Sequence, residues 1–170
     1  MKLVRPFREF HPAMKAAIFM LPVTLTVFLH NFFLKQPPDL RVLLRDYYVY
    51  SLNSLPKVFD FVVLIPIREE LATRGPAWVL LWIIIWAARK FPDKKNFLTI
   101  GYITVWLFLI ISTAQWAFGG HHYPITVFGY GLVWSWLMIR TKNILYPILF
   151  HAGSNGIAFL GIWTGFHLIY

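Results

Sequence analysis

The uncharged stretch FLTIGYITVWLFLIISTAQWAF, residues Phe97–Phe118, decides the class of fold. About 20 consecutive apolar residues make a helix long enough to cross the hydrocarbon core of a bilayer. Ala16–Leu34 and Asn143–Tyr170 are runs of comparable length, and Tyr123–Ile139 is slightly shorter. With 58% hydrophobic residues and a mean hydropathy of +0.60, the chain is too apolar for a soluble domain of its length. The sequence therefore predicts a polytopic integral membrane protein.

Proline, glycine and basic residues divide the apolar runs into an all-α transmembrane bundle of about six helices. Pro76 occupies the position that proline favours at a helix start, so one helix ends near Arg74 and another begins at Pro76. The chain is interpreted as one membrane domain, residues 1–170, in which residues 1–56 form an interfacial segment, the first helix and a connection. The other predicted helices cover Lys57–Arg74, Pro76–Arg89, Phe97–Phe118, Tyr123–Ile139 and Asn143–Tyr170.

The net charge of +9 comes from short basic clusters beside apolar runs, such as ARKFPDKKN and IRTKN. Such clusters indicate contact with lipid headgroups and control of topology rather than binding of nucleic acid. If every run spans, the positive-inside rule places these loops in the cytoplasm; if the short third run does not cross, the orientation reverses. Both orientations remain open. The absence of cysteine excludes disulfides, a thiol nucleophile and a thiolate metal site.

Two adjacent glutamates interrupt an apolar neighbourhood in EELATRG, residues 69–75. Ionisable groups at membrane depth are functional candidates because their burial is costly. Glu70 and Arg74 are four residues apart and face each other on a helix, so they are predicted to form an ion pair. Glu69 points about 100° away from Glu70, and only Thr73 lies one turn on, so it is predicted to have no partner on its own helix. A carboxylate left unpaired in a low-dielectric setting suits a general base. The alternative is that both glutamates cap or solvate a helix end near the headgroups.

Two further polar clusters lie in FGGHHYP, residues 118–124, and HAGSN, residues 151–155. His151 and Asn155 project from one face of the last helix, about 12 and 18 Å from its start, and both can donate hydrogen bonds to an oxyanion. Interhelical hydrogen bonding is the structural alternative. Glycines and a proline around His121 and His122 indicate a helix break that directs a side chain inward, with an exposed loop as the alternative.

The number of membrane crossings between the three clusters predicts that they meet. The end of the second helix and the start of the fifth lie on the same side if the third and fourth helices both cross the membrane. The sixth helix comes from the opposite side and brings its polar residues to mid-depth. A carboxylate, histidines and an amide in one buried pocket are a set that can activate water and stabilise an oxyanion.

In this order and spacing, the motifs resemble those of the CAAX-processing and bacteriocin-immunity family of intramembrane proteases, the CPBP or ABI family. EELATRG is similar to its EExxxR motif, FGGHH to FxxxH and HAGSN to HxxxN. The resemblance runs from about Ile65 to Gly156, within a family core of about residues 57–170. It implies an intramembrane endopeptidase of the type that includes the eukaryotic prenyl-protein endopeptidase.

The resemblance also implies a role for each motif residue. Glu69 would activate the water together with His122, while His151 and Asn155 would form the oxyanion hole. The ion pair of the EExxxR motif would be structural. No cofactor would be required; the alternative is a zinc ion held by Glu69, His122 and His151. His121 is adjacent to His122, and the motif rather than chemistry selects between them.

The implied substrate is a peptide or protein, membrane-associated or prenylated, that is cleaved in or near the lipid bilayer. The expected location is a multi-pass position in a membrane, and the small size favours a prokaryotic cell membrane. Two interpretations from other classes remain. One is a non-catalytic immunity or scaffold protein with the same fold. The other is a small transporter that uses the same intramembrane acids and histidines.

Overall fold

A computed structural model describes residues 11–18, 20, 46, 54–91, 95–120 and 124–169 of the chain. All regular secondary structure within these ranges is helical, which confirms the predicted all-α fold class. The predicted first helix lies outside the described residues, apart from its beginning in a short helical segment at residues 12–18. The later helices are α1 (Leu55–Thr73), α2 (Gly75–Lys90), α3 (Lys95–Phe118), α4 (Pro124–Thr141) and α5 (Leu145–Ile169).

Local sequence explains where α1 and α2 begin and end. Each helix has a proline in its first two positions, where a missing N–H group costs nothing. The helices are separated at Arg74, whose φ of −112° and ψ of −20° depart from helical geometry. The predicted break beside Pro76 is therefore confirmed. One turn of α1 was not predicted: residues Asp60–Leu64 form a π-helical turn.

The chain divides into two compact units. The first contains Met1–Ala16 and Glu69–Ile148, and the second contains Ala17–Arg68 and Leu149–Tyr170. The expected single membrane domain stays a prediction.

The core of the first unit is formed by α2, α3 and α4. Leu81 of α2, Leu109 of α3 and Met138 of α4 are fully buried in one apolar cluster. A glycine allows α2 and α3 to approach closely, because a Cβ atom at Gly101 would lie 2.5 Å from Cγ2 of Ile84. This packing fixes the helices that carry the polar side chains described below.

The surface of α3 is that of a membrane helix. Residues Asn96–Phe118 have a mean hydropathy of 2.0 and are long enough to cross a bilayer, yet only 17% of this window is buried. The core helix of a soluble protein would be mostly buried. Along one face of α3, large aliphatic side chains are more than half exposed, namely Ile100, Ile103, Leu107 and Ile111. Among the described residues α3 is the single helix that passes this test by itself. α1 and α2 pass it together as a pair bent by 49° at Arg74, the geometry of a broken span or of a re-entrant loop.

Candidate active site

The predicted ion pair forms in the interior of the first unit. Nη1 of Arg74 lies 2.7 Å from Oε2 of Glu70, and both side chains have no exposed surface. The pair joins the last turn of α1 to the break before α2, as the spacing of four residues predicts. Two opposite charges at this distance neutralise each other, which offsets part of the cost of removing both from water.

The guanidinium of Arg74 also attaches this break to α4. Nε donates to Oγ of Ser135 at 3.2 Å, and Nη2 donates to the carbonyl of Gly131 at 2.9 Å. Nη1 additionally donates to Oγ1 of Thr73 at 3.1 Å. Arginine suits this position because its planar group carries five N–H donors in a fixed arrangement. The ion pair is therefore a structural junction between two parts of the first unit.

Glycine is required at position 131 because the guanidinium and α3 approach its backbone closely. A Cβ atom on Gly131 would lie 2.8 Å from Nη2 of Arg74 and would overlap Cγ2 of Thr113. Oγ1 of Thr113 is buried and has no hydrogen-bond partner among the described residues. The sequence predicted helix α4, but it did not predict the roles of Gly131 and Ser135.

Two indole rings lie close to the same guanidinium and to each other. Cζ of Arg74 lies 5.8 Å from the ring centroid of Trp116 and 5.5 Å from that of Trp134. The two rings are themselves 6.0 Å apart and tilted by 47°. Cation–π contacts at this distance stabilise a desolvated cation more strongly than an exposed one. Sequence reasoning missed both tryptophans because tryptophans near the ends of apolar runs are typical of the interfacial belt.

Glu69 has a hydrogen-bond partner from another helix. Its Oε2 accepts a hydrogen bond of 2.9 Å from Nε1 of Trp116 on α3, and its side chain is half-buried. Its backbone carbonyl accepts a bond of 2.6 Å from Oγ1 of Thr73. Spacing along the sequence identifies neighbours on the same helix, but it does not identify a hydrogen-bond donor on a different helix. The expectation that the Glu69 carboxylate is left unpaired is therefore wrong, because Trp116 of α3 donates to it.

In the second unit, Asn155 contacts the backbone of α1. Its Nδ2 donates a hydrogen bond of 2.9 Å to the carbonyl of Phe61, which lies in the π-helical turn. The N–H of Ile65 donates to the carbonyl of Asp60, five residues earlier. The corresponding donor for Phe61 would be Pro66, which has no N–H group. The proline therefore leaves this carbonyl accessible to the amide of Asn155, and single π turns often occur at functional sites.

The other polar residues of the last motif lie on α5, as predicted. His151 is 4% exposed, and it is one helical turn before Asn155. Oγ of Ser154 donates to the carbonyl of Phe150 at 2.9 Å, so this hydroxyl bonds back to its own helix. The side chains of His151 and Asn155 are thus placed in the second unit, whereas Glu69 belongs to the first. The predicted meeting of the clusters stays a prediction.

His121 and His122 lie outside the described residues, so their predicted roles stay predictions. Within the described part of the chain, no group of three His, Cys, Asp or Glu side chains could hold a metal ion. The zinc alternative needs His122 as one of its ligands, so it too stays open.

The described fold is all-helical, with an apolar helix long enough to cross a membrane. The model of the Rce1-like family, described as type II CAAX prenyl endopeptidase Rce1-like, matches residues 51–157. This match covers more than half of the chain and contains all three motifs. The chain belongs to the Rce1-like family, in agreement with the resemblance found in its sequence. No curated protein and no solved structure matches the chain.

Proposed function

We propose that this protein is a multi-pass intramembrane endopeptidase in which a glutamate activates the attacking water. The observation that carries the proposal is the different environment of two adjacent carboxylates. Glu70 is fully buried and paired with a cation, whereas Glu69 is half-buried and accepts a hydrogen bond from a neutral indole. Membership of the Rce1-like family supports hydrolysis as the reaction and a peptide or protein as the substrate.

In the proposed mechanism, Glu69 takes a proton from a water molecule that His122 helps to hold. The resulting hydroxide attacks the carbonyl carbon of the scissile peptide bond and forms a tetrahedral intermediate. His151 and Asn155 donate hydrogen bonds to its oxyanion, which stabilises the charge that develops in the transition state. The C–N bond then breaks, and Glu69 returns its proton to the leaving amine.

The proposed substrate is a prenylated CAAX-type peptide, as the description of the family indicates. The exposed aliphatic face of α3 keeps the protein in a bilayer, where a prenyl chain also partitions. We propose a prokaryotic cell membrane as its location. The Glu70–Arg74 pair is proposed to hold the structure around Glu69 rather than to react.

The test is hydrolysis of quenched-fluorescent peptides, farnesylated and unmodified, by protein purified in detergent. Wild type, Glu69→Gln and the control Asp60→Asn are compared, each with and without a strong zinc chelator. Asp60 is a suitable control because its carboxylate forms a partly exposed pair with Arg68 at 3.5 Å. We expect cleavage by wild type and by the control, with or without chelator, and none by Glu69→Gln.

Other outcomes lead to different conclusions. Loss of wild-type cleavage with chelator would make Glu69 and the histidines zinc ligands. Faster cleavage of the unmodified peptide would exclude a prenylated peptide as the preferred substrate. A Glu69→Gln protein that is folded and as active as wild type would overturn the proposed mechanism and favour a scaffold function for the carboxylate.

A further inference from the structure

Trp116 of α3 contacts both parts of the EELATRG motif at once. Its Nε1 group donates a hydrogen bond of 2.9 Å to Oε2 of Glu69. Its ring lies 5.8 Å from the guanidinium carbon of Arg74, which is itself bonded to Glu70. One rigid side chain thus connects the structural ion pair to the neighbouring carboxylate.

The position of this indole is restricted by its surroundings. The ring of Trp134 lies 6.0 Å away on the same side of the guanidinium, and the next residue of α3, Ala117, is fully buried. A tryptophan has only two side-chain torsions to fix, whereas a glutamate has three. The indole therefore loses little conformational entropy when it binds the more flexible carboxylate. A side chain whose own position is restricted thus orients Glu69.

The chemistry of the donor suits a base. An indole N–H is a donor only and carries no charge, so it does not accept the proton that Glu69 must take up. A lysine or arginine in the same place would neutralise the carboxylate and weaken it as a base.

We propose that Trp116 is the positioning residue for Glu69, and that it transmits the rigidity of the Glu70–Arg74 pair to the base. The proposal deepens the proposed function and rests on it. It assigns two separable tasks to one side chain: the N–H group orients Glu69, and the ring face stabilises Arg74.

The experiment separates the two tasks by replacing Trp116 with tryptophan analogues through nonsense suppression. 3-Benzothienylalanine keeps the bicyclic shape but has sulfur in place of the N–H group. 5-Fluorotryptophan keeps the N–H group but has a ring face that attracts cations less strongly. Turnover of the cleaved peptide and the thermal midpoint are measured for both, with Trp86→Phe on the exposed face of α2 as the control.

We expect the benzothienyl protein to have a kcat about 10- to 100-fold lower, the scale of one hydrogen bond to a charged group. Its KM and thermal midpoint should match wild type, because the ring face is kept. The fluorinated protein should show the reverse, a lower midpoint with nearly unchanged kcat. If Trp116 had a purely structural role, every variant with a lower kcat would also have a lower thermal midpoint. Wild-type kcat in the benzothienyl protein would overturn the proposal.

A second measurement does not depend on activity. In protein labelled with ¹⁵N-indole and placed in lipid nanodiscs, Trp116→Phe identifies the Trp116 resonance. Glu69→Ala should shift this resonance and speed its hydrogen exchange, whereas Asp60→Asn should leave it unchanged. An unchanged resonance in Glu69→Ala would overturn the contact itself. Full hydrolysis by Glu69→Gln would instead remove the proposed function, and with it a role for Trp116 in catalysis.

Discussion

Replacing Arg74 should destabilise the protein far more than replacing Asn155, although both side chains make hydrogen bonds to another segment. Glu70 has no exposed surface and lies 2.7 Å from Nη1 of Arg74, so Arg74→Ala leaves its carboxylate buried without the cation. Removing one partner of a buried pair costs about 3–5 kcal/mol. The cost arises mainly at Glu70, because Oγ of Ser135 keeps its 2.8 Å bond to the Gly131 carbonyl.

Asn155→Ala should lower the stability of the fold by a smaller amount. Its amide is half-buried and donates a hydrogen bond to the neutral carbonyl of Phe61. A hydrogen bond between neutral groups contributes about 0.5–1.5 kcal/mol. The expected difference between Arg74→Ala and Asn155→Ala is therefore about 2–4 kcal/mol, a large share of the total stability of a typical domain.

The assay is the yield of monodisperse protein after detergent extraction, followed by the thermal midpoint in lipid nanodiscs. The double variant Glu70→Leu/Arg74→Met removes both charges and keeps most of the volume, so it should recover most of the stability lost in Arg74→Ala. Equal midpoints for Arg74→Ala and Asn155→Ala would refute the reasoning. A double variant no more stable than Arg74→Ala would show that the stranded charge is not the cause.

Three further substitutions test other contacts. Asn155→Ala should lower kcat by about 10²–10³-fold with the fold kept, as for loss of one oxyanion donor; wild-type turnover would exclude Asn155 from the site. Pro66→Ala restores an N–H group that can compete for the Phe61 carbonyl, so kcat should fall about tenfold without a lower thermal midpoint; parallel losses of both would contradict this. Gly131→Ala places a Cβ atom 2.8 Å from Nη2 of Arg74 and should cost about 1–3 kcal/mol in unfolding experiments; an unchanged midpoint would contradict the close approach.

Sequence reasoning was accurate where contacts lie within one helix. The Glu70–Arg74 pair follows from a spacing of four residues, and the break beside Pro76 follows from the geometry of proline. Helix geometry is periodic, so neighbours on the same helix can be calculated without knowing the fold. The membrane class follows in the same way, because the length of an apolar run determines whether it can cross a bilayer.

Contacts between helices could not be predicted because they depend on how each helix is rotated and shifted against its neighbours. Trp116 lies 47 residues after Glu69, and Gly131 lies 57 residues after Arg74. Nothing in the spacing of the motifs indicates either contact. The π-helical turn at Asp60–Leu64 was also missed, although Pro66 gives a signal for it. A proline inside a helix removes one donor and crowds the carbonyl four residues earlier, and a wider turn relieves that crowding.

The two adjacent glutamates are compatible with an apolar setting because each has a different kind of partner. Glu70 is bonded to a cation that also holds α4, so its charge is used for structure. Glu69 accepts a hydrogen bond from a neutral indole, and in the proposed mechanism this bond orients the carboxylate that takes up a proton. Removing the cation from the buried Glu70 would destabilise the fold. The rotation of about 100° between consecutive helical residues lets one EE pair serve both purposes.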